Sequence, residues 1–189
     1  FWVWAANKLK KTLTGARAPL LGLAAAFSFV VMMLNVPIPG GTTGHAVGAA
    51  LIAILLGPAE AMIAVTVALG VQALVFGDGG ITAFGANCLN MAVIMPLVAS
   101  GSFKLFAGKA QPGSRRRFIA AAAAGYLSLN IAALTTAIMF GIQPALAHDA
   151  ADHPLYAPYP LSVAVPAMLL EHMALFGFVE AAVTALALR

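Results

Sequence analysis

The sequence predicts an all-α protein, a polytopic membrane helix bundle, and composition, charge and apolar run length all support this. Hydrophobic residues make up 62% of the 189 residues and charged residues only 8%, against about 45–50% and about 25% in soluble globular proteins. So few charged side chains could not cover the surface of a soluble fold of this size. The mean hydropathy of +0.96 agrees. We therefore expect residues 1–189 to form a single integral membrane domain.

Seven apolar runs follow one another along the chain, and a helix that crosses a membrane needs about 20 apolar residues. Four of the runs, those beginning at Ala18, Ile81, Phe118 and Pro166, are long enough to cross alone. The first run is too short and resembles the last turns of a helix whose start is missing. The runs are 1–6, 18–34, 46–56, 62–76, 81–99, 118–140 and 166–188.

The run 46–56 would rise only about 16 Å as a helix, which is too short to cross the hydrocarbon core. Two interpretations follow. Either the helix extends through Thr43 on one side and Pro58 on the other, or it is a short helix that its neighbours shield from lipid.

The placement of the ten Lys and Arg residues predicts the topology. Basic clusters beside apolar spans are typical of cytoplasmic loops. If 7–17 is cytoplasmic, alternation of seven spans places 57–59, 101–117 and the C-terminus on that side too. All ten basic residues then lie inside, while Asp78, Asp149 and Asp152 lie outside, and the N-terminus is external. Because these charges border apolar spans, they do not indicate a nucleic-acid-binding patch.

The segment 35–48 contains two prolines and several glycines between two apolar spans, which excludes a regular helix. Non-helical backbone at membrane depth is tolerated only where protein or a water-filled cavity covers it. His45 stands near the end of this segment, and imidazole is a common ligand of Ni, Co, Cu and Zn. His45 is therefore a candidate metal ligand; the alternative is a polar cap on the following helix.

A second polar cluster follows the fourth run, on the same outer side as His45. It contains Asp78 in a glycine-rich turn, then Asn87 and Asn90, which are three residues apart and would share a helix face. We expect these side chains, with Thr43, to support the loops around a ligand. The alternative for the asparagines is interhelical hydrogen bonding.

Two further polar groups are candidates for weaker roles. His148, Asp149, Asp152 and His153 lie in the long outer loop, where they could collect divalent cations weakly or simply be solvated. Glu171, His172 and Glu180 lie in the last span and are costly in lipid, so they should face protein. The sequence does not assign them a role.

No motif for ATP binding or for catalysis is present in the sequence. The single cysteine, Cys88, excludes an internal disulfide and a cysteine-built metal site. Three functions compete: a binding subunit energised by partners, a stand-alone secondary transporter of a divalent metal or other ion, and a membrane enzyme. Secondary transporters commonly show internal repeats, and none is clear here. An enzyme would need a catalytic set, which does not emerge. We favour the binding subunit.

The ordered motifs Gly40-Gly41-Thr42-Thr43-Gly44-His45, Leu55-Leu56-Gly57-Pro58, Gln72-Ala73-Leu74, Gly77-Asp78-Gly79-Gly80 and Gly85-Ala86-Asn87 resemble the CbiM/NikM family. Its members are the substrate-capture membrane subunits of cobalt and nickel energy-coupling-factor ABC transporters. The resemblance runs along the whole chain and is dense between Pro37 and Pro96. The motif ending at His45 is closer to the nickel branch.

The resemblance implies a bundle of seven transmembrane helices, the first only partly present here, with an external N-terminus and a cytoplasmic C-terminus. It implies a bacterial inner-membrane protein that captures Ni²⁺ or Co²⁺ as cargo, without a tightly bound cofactor. The implied partners are a transmembrane coupling subunit, cytosolic ABC ATPases and a small auxiliary membrane subunit.

The resemblance also implies how the metal is bound. Family members begin Met-His-Ile and bind it through the terminal amine, a peptide nitrogen, the imidazole of the second residue and a further histidine. That further histidine matches His45. The sequence printed here begins at Phe1 and lacks Met-His-Ile, so only His45 carries over as a ligand.

Overall fold

The computed structural model describes residues 1–12, 15, 17–38 and 42–189. Most of these residues are helical, which confirms the predicted helix bundle. Gly40 and Gly41, part of the motif before His45, lie outside the described residues. The elements in chain order are α1 (Trp2–Thr12), α2 (Arg17–Met32), β1 (Asn35–Ile38), β2 (Thr42–His45), α3 (Ala49–Leu55), α4 (Pro58–Val75), α5 (Phe84–Asn87), α6 (Met95–Ala107), α7 (Arg115–Gly141), α8 (Gln143–Leu146), α9 (Leu161–Glu171) and α10 (Gly177–Ala187).

Among the described residues, four helical stretches are long and apolar enough to cross a membrane: Pro58–Val75, Phe84–Ala107, Arg115–Leu146 and Leu161–Ala187. Two of them contain a π-helical stretch: Cys88–Ile94 joins α5 to α6, and His172–Phe176 joins α9 to α10. The other predicted spans correspond to shorter helices. These are α1 with 11 residues, α2 with 16 and α3 with 7.

Helix α3 decides between the two interpretations of the run 46–56. It spans only Ala49–Leu55, and its first five residues are buried inside the bundle. The structure therefore favours the short helix shielded by its neighbours over an extended span. Because protein surrounds it, the short helix does not need to reach across the hydrocarbon core by itself.

Long neighbouring helices in the second half of the chain run antiparallel. Asn90, near the start of the Phe84–Ala107 helix, bonds Thr135 in the last third of α7. Phe103, near the end of that helix, stacks against the Arg117 guanidinium in the first turn of α7, 5.1 Å from the ring centroid. Helix α10 returns alongside α7, since a side chain at Gly125 would meet the Glu180 carbonyl. The end of α6, the start of α7 and the end of α10 therefore share one end of the bundle.

The basic residues gather at this same end. Ile54 near the end of α3 packs against the end of α6, which places the start of α4 at this end. Trp2 of α1 bonds Thr66 and Ala5 packs with Ala59, so α1 runs toward the same end.

Phe29 near the end of α2 stacks on Phe76 just after α4, so Arg17 at the start of α2 lies at this end too. The end therefore carries all ten basic residues: Lys8, Lys10, Lys11, Arg17, Lys104, Lys109, Arg115, Arg116, Arg117 and Arg189. This gathering is what the charge-based topology requires. The membrane side that this end faces stays a prediction.

The surface and the interior of the bundle differ in side-chain size. Leu74, Val75, Leu105, Leu170 and Phe178 are among many large apolar side chains that point outward. Such an exterior suits lipid, whereas in water it would drive aggregation. Alanine dominates the interior, because small side chains let helix backbones approach closely in a membrane protein.

The broken segment after α2 forms a β-hairpin, as its prolines and glycines led us to expect for non-helical backbone. Strands β1 and β2 pair antiparallel, with Asn35 opposite His45 and Ile38 opposite Thr42. Ile38 packs against Met168 of α9. Gly44 lies so close to Phe176 that a Cβ atom at this position would come within 2.7 Å of its ring. The hairpin is thus held inside the bundle, against the last span.

Candidate metal-binding site

A cavity of about 460 Å³ opens at the end of the bundle opposite the basic end. Its walls are formed by five parts of the chain: the hairpin, the turn after α4, the start of the Phe84–Ala107 helix, the half of α7 nearest this end, and the last span. Measured along α7 from Phe140 to Leu129, it reaches about 16 Å inward. Its lining comprises Thr42, Thr43, His45, Val47, Gln72, Asp78, Gly79, Gly80, Thr82, Ala83, Asn87, Met91, Leu129, Ala132, Ala133, Thr136, Phe140, Met168 and His172.

His45 ends strand β2 and lines this cavity. Its Nδ1 lies 3.1 Å from the carbonyl oxygen of Ala46. Since a carbonyl can only accept, Nδ1 carries the proton and donates it, and Nε2 keeps a free lone pair. The hairpin that carries His45 is not itself a membrane span. Burial lowers the pKa of His45, whereas the Ala46 hydrogen bond and the Asp78 charge raise it by less. Burial, the largest of these effects, favours the neutral imidazole, which is the form that binds metals.

His172 is a second histidine on the same cavity, and sequence reasoning assigned it no role. It is buried, and its Nδ1 lies 2.8 Å from the carbonyl oxygen of Met168. As at His45, the carbonyl fixes the proton on Nδ1 and leaves Nε2 as an acceptor. His172 begins the π-helical stretch, a feature that is frequent at functional sites. The cavity therefore offers two imidazoles whose tautomers are set by backbone carbonyls.

Asp78, Asn87 and Thr43 also line the cavity, and their support of a bound ligand stays a prediction. Asp78 accepts a hydrogen bond from the buried Gln72 amide at 2.7 Å, and Asn87 donates to the Gly79 carbonyl at 3.2 Å. These two bonds tie the glycine-rich turn to α4 and α5. The turn thereby forms a fixed wall facing the hairpin.

Asn90 lies elsewhere. Its side-chain oxygen accepts from the Thr135 hydroxyl at 2.7 Å, and its amide contacts the Met139 sulfur at 3.3 Å. The structure therefore gives Asn90 the interhelical hydrogen bond that was its alternative role. The π-helical stretch starts between the two asparagines and turns Asn90 away from Asn87, although a spacing of three residues predicts one shared helix face.

The outer-loop residues His148, Asp149, Asp152 and His153 do not line this cavity. The Asp149 carboxylate accepts from the backbone N–H groups of Ala151 and His153, both at 2.8 Å, and lies 3.2 Å from the His153 imidazole. The pKa of Asp149 is lowered, chiefly by the backbone N–H of His153. This carboxylate thus serves the loop's own fold, and weak cation collection there stays a prediction.

Within residues 1–12, 15, 17–38 and 42–189, no group of three or more His, Cys, Asp or Glu side chains is arranged to hold a metal ion. The cavity supplies two imidazole nitrogens and nearby oxygen acceptors. A closed metal site built from His, Cys, Asp and Glu side chains would have more ligands than this. A metal in the cavity would need additional ligands, and terminal amine and peptide nitrogens are suitable ones for Ni(II).

The fold and this cavity define the class: a multi-pass helical membrane protein with a nitrogen- and oxygen-lined cavity open at one end. Residues 1–189 match the model of CbiM, described as the cobalt uptake substrate-specific transmembrane region. The chain belongs to the CbiM family.

Relatives and solved structures agree with this assignment. The chain is 58% identical over 185 residues to the fused nickel transport protein NikMN of Rhodobacter capsulatus, covering 98% of this chain and 53% of the relative. It is 38% identical over 107 residues to the cobalt transport protein CbiM of Moorella thermoacetica, covering 56% and 41%. A crystal structure of a transition metal transporter superposes with a TM-score of 0.93 at 47% identity, covering 98% of this chain and 80% of the other.

The chain spans about half the length of the first curated relatives it matches. Family membership and the helical membrane fold therefore apply to the chain itself.

Proposed function

We propose that this chain captures Ni²⁺ or Co²⁺ for uptake across the bacterial inner membrane, as the substrate-specific subunit of an energy-coupling-factor transporter. The observation that carries the proposal is the position of His45 on a cavity open to the outer end. Its Nδ1 is occupied by the Ala46 carbonyl, which leaves the Nε2 lone pair free to bind a metal. Family membership and relatives named for nickel and cobalt transport support the choice of cargo.

His45 supplies one nitrogen ligand in this proposal. The family resemblance assigns the others to a Met-His amino terminus, which the sequence printed here does not contain. Together they would make a nitrogen-rich planar set of the kind that suits Ni(II). Leu129 and Ala132 line the inner end of the cavity, which separates His45 from the basic end of the bundle.

Energy would come from partner ATPases acting through a transmembrane coupling subunit, with a small auxiliary membrane subunit. This chain contributes the binding step and is not the enzyme. The basic end of the bundle, where α6 ends and α7 begins, is the surface that cytosolic partners could reach. The competing function, a stand-alone secondary transporter, would move Ni²⁺ across the membrane without partner ATPases.

The metal affinity of full-length variants tests the proposal. His45→Ala removes one of few ligands, so Ni(II) affinity should fall by at least the 10–100-fold typical of losing a residue that merely orients a ligand. The matched control, His148→Ala with His153→Ala, removes two histidines outside the cavity and should change affinity by no more than about threefold. Unchanged affinity in His45→Ala, with loss in the control, would place the site in the outer loop instead.

A further inference from the structure

Glu180 is a fully buried carboxylate in the last membrane span, on α10. An ionisable side chain in this environment is expensive unless polar partners compensate it. The partners of Glu180 come from backbone far away in sequence, which makes the position informative.

Both carboxylate oxygens of Glu180 bind the backbone directly after His45. One oxygen, Oε2, accepts from the N–H groups of Val47 at 2.8 Å and Gly48 at 2.9 Å, and Oε1 accepts from the N–H of Ala50 at 3.3 Å. Helix α3 begins at Ala49, and the first N–H groups of a helix have no partner within it. Glu180 therefore satisfies donors that would otherwise be buried without an acceptor.

The same loop is held from the opposite side by α2. The Ser28 hydroxyl, fully buried, donates to the Val47 carbonyl at 2.8 Å. The peptide groups around Val47 thus bind α2 through their carbonyl and α10 through their N–H. We call Ser28, Val47 and Glu180 the Val47 clasp.

The clasp lies two residues from His45, and this proximity gives it a consequence beyond stability. Metal–ligand distances are satisfied only within about ±0.2 Å, so a small displacement of the hairpin would spoil ligation. The hairpin carries His45 on a short strand and contacts the last span through Ile38 and through the Gly44–Phe176 approach. The clasp adds a hold on the residues that directly follow the hairpin. A carboxylate that fixes residues 47–50 also fixes where the His45 imidazole can lie.

We propose that Glu180 is a positioning residue for metal capture, and that its carboxylate holds the loop after His45 so that the imidazole meets the metal in ligating geometry. This inference rests on the proposed function. It assigns α10 a role in the site although Glu180 does not touch the metal.

Three full-length variants, compared with the wild type, test the role of Glu180. Glu180→Met keeps a side chain of similar length but removes both acceptors, so Ni(II) affinity should fall at least tenfold. Glu180→Gln keeps one acceptor oxygen that can bind Val47 and Gly48, so its affinity should stay within about threefold of wild type. Thr184→Val is the matched control, because Thr184 is buried one turn further along α10 and its hydroxyl has no hydrogen-bond partner among the described residues.

The unfolding temperature without metal is measured beside the affinity, and the Ni(II) absorption spectrum reports ligand geometry. If Glu180 has a purely structural role, Glu180→Met should unfold at a lower temperature, but its folded fraction should bind Ni(II) with wild-type affinity and spectrum. That result would overturn the proposal. If Glu180→Met does not fold, Ser28→Ala, which weakens the other side of the clasp, should reduce affinity about threefold or more. Wild-type affinity in Ser28→Ala would then overturn the proposal. Failure of the wild type to bind Ni(II) would instead refute the proposed function.

Discussion

Gly48 shows how a single residue permits the turn from the hairpin into α3. Its φ of +74° lies in the left-handed region, which costs about 1–2 kcal/mol for a residue with a side chain. A Cβ atom would also come within 2.5 Å of the Phe27 ring. Glycine is therefore required at this position on two independent grounds.

Gly48→Ala should lower the free energy of unfolding by about 1–3 kcal/mol, from backbone strain and displacement of the Phe27 ring. Thermal unfolding in detergent measures this. The matched control is Gly22→Ala on α2, where nothing lies within 4 Å of the added methyl group. Equal unfolding temperatures for both variants would contradict the strain argument.

The two histidines on the cavity are a second example at the scale of single residues. At both His45 and His172 a carbonyl of the local backbone accepts from Nδ1 and leaves Nε2 free. Sequence reasoning could single out His45 because the segment around it is broken by proline and glycine. It could not single out His172, because a histidine in an apolar run carries no signal of the direction it faces.

Close approach of backbones organises the bundle at the scale of elements. Helices α7 and α10 meet at Gly125, where a Cβ atom would lie 2.9 Å from the Glu180 carbonyl oxygen and 3.1 Å from the Ala181 Cα. These neighbours are backbone atoms and cannot move aside as a flexible side chain can. The contact therefore fixes the separation between α7 and the helix that carries Glu180.

Gly125→Ala should force α7 and α10 apart and reduce stability by about 1–3 kcal/mol, the usual cost of overpacking. Because the shift also moves Glu180, Ni(II) affinity of the full-length chain should fall together with the unfolding temperature. Gly101→Ala on α6 is the control, since it has open space around the added methyl group. A stable Gly125→Ala variant with wild-type affinity would show that this contact is dispensable.

At the scale of the whole molecule, the ordering of charges predicts the orientation in the membrane. Basic residues gather at one end of the bundle, and the cavity opens at the other. Since positively charged loops stay in the cytoplasm, the cavity should face outward, where the metal is collected.

Cysteines introduced at Arg116 and Asp152 test this orientation in a Cys88→Ala background, which removes the native thiol. An impermeant thiol reagent added outside intact cells should label the Asp152 position and leave the Arg116 position unlabelled until the membrane is permeabilised. Labelling of both positions from one face would mean that the number of spans is wrong.

The source of energy is also a property of the whole assembly. This polypeptide reconstituted alone in liposomes should show no ATP-dependent Ni²⁺ uptake, because it contains no nucleotide-binding motif. Uptake should appear when a coupling subunit and ATPases are included. ATP-independent uptake driven by an ion gradient, with the protein alone, would favour the stand-alone secondary transporter.

The sequence by itself determined the membrane class, the clustering of Lys and Arg between apolar runs, the broken segment before α3 and His45 as the candidate ligand. Each depends on composition or local chain chemistry: apolar run length, the placement of Lys and Arg, and the exclusion of helix by proline and glycine. Such signals survive without knowledge of neighbouring elements.

Only the tertiary structure decided which polar residues share the cavity. Asn90 bonds Thr135 of α7 although its spacing from Asn87 predicts a shared helix face, and His172 of the last span lines the cavity. The contact of Glu180 with Val47 joins residues 133 positions apart. Local sequence cannot specify such a contact, because it depends on how α10 packs beside α7 and α3, and that packing is set by the whole bundle at once.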